Sequence, residues 1–142
     1  AAFDSYVDNL ARSLPAGDRR SEQLPRMVDS ARYLAVHLHE VPVLVVPVVE
    51  GRVEQAGVVS QASTYGSILP AAWSFMLALR ARGLGAAWTT LHLVYEQDAA
   101  AVLGIPAGFT QTALLPVAYY TGKDFRPARR LDADRQIHLD RW

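Results

Sequence analysis

The order of apolar and polar residues along the chain predicts helices that alternate with extended segments. Apolar residues recur at helical spacing in residues 3–14 and again in residues 27–38. The polar residues 18–23 that separate these two runs are expected to form a loop. Two amphipathic helices are therefore predicted in the first 40 residues.

Short β-branched segments predict the strands. Residues 43–49 form an apolar run without alternation, which is typical of a strand covered on both faces. Pro47 lies inside this run and cannot donate a ladder hydrogen bond, so we expect at least one side of the strand to be unpaired there. Residues 86–91 and 110–120 are predicted as two further strands, and residues 96–103 as a short helix that Gly104 ends.

The most apolar segment is predicted as a helix over Ile68–Leu79. It contains a single polar residue and has no face for solvent, so other elements or a second subunit must cover it. Pro70 predicts either that regular hydrogen bonding begins near Ser67 or that the helix is kinked. We expect Gly83 or the glycine that follows it two residues later to end the helix in a left-handed conformation.

Strands separated by helices indicate a three-layer α/β or α+β domain with helices on both faces of a central sheet. The 142 residues suit one domain with a substantial core. After Gly122 the composition becomes polar and basic, and residues 122–142 are predicted as an extended tail.

Charge and composition narrow the class of function. Fourteen basic residues balance fourteen acidic ones without a basic run, which argues against nucleic acid or an anionic membrane as a partner. The absence of cysteine excludes disulfides and thiolate chemistry and fits a cytoplasmic protein. No apolar run is long enough to span a bilayer, and the four histidines lack the spacing of metal ligands. Because the chain begins Ala1-Ala2, we expect it to lack an N-terminal segment.

Four segments in a fixed order carry a resemblance to a known family. A covered helix ends in "RGLGAAWTT", a short helix ends in "VLGIPAGF", a strand reads "TALLPVAYY", and the tail contains "RPARRLD". This order resembles the C-terminal two thirds of the nitroreductase family over residues 26–131, most specifically over Gly83–Tyr120. Residues 1–25 match only as a helix and a loop.

The resemblance implies an α+β fold of three layers, with a central mixed sheet and helices on both faces. It also implies an intertwined homodimer that binds FMN at the subunit interface. The reaction it implies is the transfer of hydride from NAD(P)H through the flavin to a nitroaromatic, a quinone or a similar small-molecule acceptor.

The resemblance assigns Trp88, Thr89 and Thr90 to the edge of the isoalloxazine ring. A reduced flavin needs N–H donors near its reacting atoms, and a glycine-flanked turn allows close approach of the backbone. We expect these contacts to be made largely by the main chain. The alternative is an ordinary helix-to-strand turn with a tryptophan in the core.

The same resemblance assigns two further groups of residues. Arg129 or Arg130 would contact the FMN phosphate, because guanidinium groups bind phosphate oxygens in pairs, and the alternative is a solvated basic patch. Tyr65 and Gly66, expected at the mouth of the apolar helix, would face the open side of the flavin and touch substrate, or form a loop that packs on the core. No catalytic side chain and no metal ligand is predicted.

One part of the family pattern is absent from this sequence. Similar proteins open with a basic cluster that grips the phosphate and ribityl chain, followed by a Pro-Ser-x-x-Asn-x-Gln-Pro-Trp segment. Only Arg19-Arg20-Ser21 imitates that cluster, after a helix instead of before one. A flavin-binding domain without catalysis, and a structural dimerisation domain without a cofactor, therefore stay open as alternatives.

Overall fold

The computed structural model describes residues 2–13, 18–122, 125–128, 130 and 132–142. Backbone contacts divide the chain into two units. One unit comprises Ala1–Val36 with Gly122–Trp142, and the other comprises His37–Thr121.

The first unit contains the two helices predicted near the start of the chain. Helix α1 spans Ala2–Ser13, and helix α2 spans Leu24–His37, whose last residue belongs to the second unit. Both predictions are confirmed. The segment before α2 was expected to be a loop, but Arg19–Gln23 form a 3-10 helix. The guanidinium of Arg32 lies 6.0 Å from the ring centroid of Phe3, which ties the two helices together.

The described part of the tail contains neither an α-helix nor a β-strand. Its only regular element there is a short 3-10 turn, Ala133–Arg135, at which the carboxylate of Asp132 accepts a hydrogen bond from the N–H of Asp134 (3.4 Å). The extended tail over residues 122–142 stays a prediction.

Five strands form two antiparallel sheets in the second unit. Strands β1 (Val43–Val45), β3 (Leu84–Ala86) and β5 (Leu115–Tyr119) pair in the order β1-β5-β3, and β2 (Val48–Glu50) pairs with β4 (Phe109–Gln111). Every strand pairing among the described residues is antiparallel. The fold is therefore α+β, but the strands do not form the single mixed sheet that the family resemblance implied.

The two sheets arise because each predicted long strand is interrupted. Residues 43–50 lie antiparallel to residues 109–117, and between the two ladders Val46 and Pro47 face the three residues 112–114. The N–H and the hydroxyl of Thr112 both donate to the carbonyl of Pro47, at 3.1 and 3.0 Å. Proline has no N–H to continue the ladder, so the break predicted at Pro47 is confirmed and an extra residue is accommodated as a bulge. Full coverage of the strand is not confirmed, because Val43 and Leu44 are exposed.

The apolar helix, α3, spans Val58–Arg80 and begins ten residues before the predicted start. The helix continues through Pro70, so the expectation of a start near Ser67 is wrong. Tyr65 and Gly66 consequently lie within α3 and not in a loop at its mouth, which corrects their predicted position. The helix is anchored at its N-terminus by Gln61, whose N–H donates to Gly57 and whose side chain donates to Ala56.

One face of α3 packs inside the chain, and another face does not. The inward residues follow helical spacing and include Ala72, Met76 and Leu79, of which Ala72 and Leu79 are buried. Ala72 joins a core cluster with Ala113 and Leu115, against which Val45 and Met76 pack. On another face Trp73 and Leu77, which are four residues apart, remain exposed.

The segment after α3 differs in part from its prediction. Gly83 adopts a φ of +76° just after the helix, as expected. The strand predicted over residues 86–91 is instead β3, followed by an isolated bridge at Thr89 and a 3-10 helix over Leu91–Tyr95. Helix α4 spans Glu96–Leu103, with the predicted bounds, and ends at Gly104 with a φ of +68°.

Candidate functional site

The first candidate site is the extended segment that follows β3. The order β1-β5-β3 leaves β3 at the edge of its sheet, and the chain continues beside β5 after β3 ends. The N–H of Ala87 donates to the carbonyl of Pro116 (3.3 Å). Thr89 and Leu114 exchange two hydrogen bonds, at 3.1 and 2.8 Å. Among the described residues, this segment therefore has backbone hydrogen-bond partners on one side only, in and next to β5.

The N–H groups of Trp88 and Thr90 are directed away from β5, because backbone donors alternate in direction along an extended segment. Within the part of the chain that the structure describes, neither N–H has a backbone partner. Both residues are exposed, and 39% of Trp88 is accessible. This edge of the sheet offers two main-chain donors beside an indole ring, an arrangement that suits a flat ligand with acceptors along one side.

The hydrogen bonds of Thr89 qualify the prediction for this residue. Its N–H already donates to Leu114, so the main-chain donors on offer are those of Trp88 and Thr90. The hydroxyl of Thr89 is the part of that residue left for a ligand.

The other predicted site residues are placed in two different units. Tyr65, which is half-buried, and Gly66, which is exposed, lie in α3 within the same unit as residues 88–90. Arg130 is exposed and belongs to the other unit. Arg129 lies outside the described residues.

A polar cluster around Arg52 and Glu96 was not predicted from the sequence. Glu96 follows Thr90 of the first candidate site by six residues. Arg52 donates from Nη1 and Nη2 to the two carboxylate oxygens of Glu96 (2.8 and 2.9 Å), and from Nη1 to the carbonyl of Phe109 (2.8 Å). Its Nη2 also pairs with Glu54. Glu96 in turn accepts from the N–H of Gln111 (3.2 Å), and the side chain of Gln111 donates to the carbonyl of Glu96 (2.8 Å).

The surroundings of Glu96 and His92 determine their protonation states at neutral pH. Hydrogen bonding to Arg52 lowers the pKa of Glu96, against the opposing effect of burial, so Glu96 is ionised at neutral pH. Burial lowers the pKa of His92, and the nearby Glu96 only partly offsets this. Both ring nitrogens of His92 are buried without a hydrogen-bond partner among the described residues, and the imidazole is neutral.

A cleft of about 680 Å³ adjoins this cluster. Arg52, Glu54 and Glu96 line one part of the cleft. Ile105 and Pro106, in the loop after α4, and Phe109, at the start of β4, line another part. No sequence signal marks the pair that organises it, since Arg52 and Glu96 are 44 residues apart and follow no motif spacing.

Residues 2–13, 18–122, 125–128, 130 and 132–142 contain neither a group of metal-ligating side chains nor a membrane-spanning helix. Among them, no three His, Asp or Glu side chains are grouped so as to hold a metal ion. No helix there has the length and apolar character needed to cross a membrane.

Comparison with known proteins covers most of the chain. The model of the nitroreductase family matches residues 3–119. The match includes the segment after β3 and the Arg52–Glu96 pair, and it ends before the tail that carries Arg129 and Arg130. It also includes residues 3–25, for which the sequence resemblance was limited to a helix and a loop. No curated protein matches the chain.

Proposed function

The chain belongs to the nitroreductase family, and from this membership we propose that it uses FMN to transfer hydride from NAD(P)H to a nitroaromatic, a quinone or a similar small acceptor. The family is one of flavin-dependent oxidoreductases. Three points are proposed in addition to family membership: that the flavin is FMN, that the donor is NAD(P)H, and that the acceptor is a small molecule of this kind.

The observation that carries the proposal is the pair of main-chain donors at Trp88 and Thr90. An isoalloxazine ring is flat and has acceptor atoms along one edge, so the exposed edge of the sheet fits it. When bound, the flavin supplies the hydride chemistry. The two N–H groups, together with the hydroxyl of Thr89, would hold the ring edge and stabilise charge that develops on it.

Two further contacts complete the proposal. Arg129 or Arg130 would bind the FMN phosphate, and Tyr65 and Gly66 would contact the acceptor. No proton-transfer step is assigned to Glu96 or His92, because Glu96 is paired with Arg52 and both ring nitrogens of His92 are buried.

The assembly proposed is a homodimer. Residues Ile68–Leu79 of helix α3 include a single polar residue, Ser74, yet Trp73 and Leu77, four residues apart on one face, are exposed. Exposed apolar faces of this kind mark interfaces, so we propose that a second copy covers this face. Three layers with helices on both faces of the sheets, and a cytoplasmic location that suits a chain without cysteine, are further parts of the proposal.

The experiment that tests the function is anaerobic reduction of the flavin-loaded protein. The protein is incubated with FMN, freed of unbound flavin, and mixed with NADPH or NADH while absorbance is recorded. A yellow protein that bleaches supports the oxidoreductase. A yellow protein that neither nucleotide bleaches would indicate a flavin-binding domain without catalysis, and a colourless one would indicate a structural domain.

The phosphate contact has its own test. Replacing Arg129 and Arg130 together by alanine should weaken FMN binding by about 10- to 150-fold, since a charge-assisted arginine contact contributes ~1.5–3 kcal/mol. Riboflavin has no phosphate and its affinity should stay unchanged. Equal losses for both flavins would instead indicate damage to the fold, and lysine at both positions should recover only part of the FMN affinity.

A further inference from the structure

We propose that Glu96, held by Arg52, is a positioning residue for the main-chain donors at Trp88 and Thr90. This inference rests on the proposed function, because it assigns to Glu96 an effect on the flavin-binding edge. Nothing in the spacing of these residues along the chain suggests the link. The link lies in how the segment between Thr89 and Glu96 is attached to the rest of the fold.

Both ends of the 89–96 segment are tied to the same short stretch, residues 111–114. At one end, Thr89 exchanges two backbone hydrogen bonds with Leu114. At the other end, Glu96 receives two hydrogen bonds from Gln111, one from its N–H (3.2 Å) and one from its side chain (2.8 Å). Hydrogen bonds to residues 111–114 therefore hold the two ends of the 89–96 segment close together.

No flexible linker separates the two ends. The carbonyl of Thr90 accepts a hydrogen bond from the N–H of Leu93 (3.0 Å) at the start of the 3-10 helix Leu91–Tyr95. Helix α4 begins directly afterwards, at Glu96. A shift of Glu96 is thus transmitted through one continuous hydrogen-bonded turn to Thr90.

Arg52 fixes the Glu96 end from outside the segment. Its guanidinium binds both carboxylate oxygens of Glu96 and also the carbonyl of Phe109, two residues before Gln111. Such a paired contact has a defined geometry as well as a favourable energy. With 20% of its side chain accessible, Glu96 is more enclosed than Glu54, the other carboxylate on Arg52, at 46%.

The interior of the segment offers no substitute for this attachment. His92 is its polar side chain that faces inward, and neither ring nitrogen has a partner among the described residues. The segment is held at its ends, so weakening one end allows the donors at residues 88 and 90 to leave the geometry that binds a flavin edge. Apparent affinity then falls in proportion to the fraction of molecules that keep the geometry.

The test compares Glu96→Gln with Glu54→Gln. Both substitutions remove one carboxylate charge from Arg52, but only Glu96 belongs to the 89–96 segment, so Glu54→Gln is the matched control. Riboflavin is the probe, because it lacks the phosphate and reports on the ring site alone. We expect Glu96→Gln to weaken riboflavin binding on the order of ten-fold, the equivalent of one charge-assisted hydrogen bond, and Glu54→Gln to leave it unchanged.

A second readout needs no flavin. Amide hydrogen exchange in the flavin-free proteins should be faster at Thr89 and Leu114 in Glu96→Gln than in Glu54→Gln. Equal exchange in the two variants, or equal riboflavin affinity, would overturn the positioning role. A failure of the unchanged protein to bind any flavin would overturn the proposed function and this inference with it, whereas flavin binding that Glu96→Gln leaves intact would overturn the inference alone.

Discussion

Replacing Trp73 by glutamate should separate the two subunits of the proposed dimer. Trp73 lies outside the face of α3 that packs on the core, and 57% of it is exposed in the single chain. A tryptophan buries up to about 150–250 Å². Covering its exposed part would therefore remove roughly 85–140 Å² from water, worth about 2–3.5 kcal/mol at ~25 cal/mol per Å².

A two-fold symmetric interface contains Trp73 from both subunits, so the free energy of dimerisation should fall by about 4–7 kcal/mol. This corresponds to dimerisation weakened roughly 10³- to 10⁵-fold. The buried carboxylates of the variant would add a further penalty.

The assay is light scattering or sedimentation velocity over a range of protein concentrations. The unchanged protein should have the mass of a dimer and Trp73→Glu the mass of a monomer with unchanged helical content. Val102→Glu is the control, because Val102 is also exposed and apolar but lies on α4. A monomeric unchanged protein at micromolar concentration would refute the reasoning, and so would a dimer that survives Trp73→Glu.

Three other predictions concern stability. Leu115→Ala should lower the free energy of unfolding by about 3–5 kcal/mol, because Leu115 is fully buried. Leu103 is exposed, so Leu103→Ala should lower it by less than about 0.5 kcal/mol. Similar urea midpoints for the two variants would contradict this. Burial lowers the pKa of His92, so the unfolded chain binds this proton first and stability should fall as pH drops below 6.5; His92→Phe should flatten that pH dependence, and an unaltered slope would disprove the assignment. Gly104→Ala should destabilise by about 1 kcal/mol because of its φ of +68°, whereas Gly66→Ala, inside α3 with open space at its Cβ, should stabilise by about 0.5–1 kcal/mol; shifts of the same sign in thermal denaturation would argue against both.

Several elements of this fold could be predicted from the sequence alone, because interactions between neighbouring residues determine them. Helical periodicity predicted α1 and α2, and the glycine at position 104 gave the exact end of α4, because a left-handed C-cap is a local requirement. Pro47 marked the break between two strands for an equally local reason, the missing N–H. The left-handed glycine after α3, Gly83 with a φ of +76°, was predicted for the same local reason as Gly104.

Other features depend on contacts between residues far apart in the sequence, and only the tertiary structure decided these. Residues 58–67 are rich in β-branched, hydroxyl and glycine residues with weak helix propensity, so the sequence favours a loop there, yet the structure extends α3 through them. The long strands divide between two sheets because the bulge at residues 112–114 needs a partner more than 60 residues away. Arg52 and Glu96 meet for the same reason: ion pairs of this kind carry no periodicity, and they form only when the folded chain brings separate elements together.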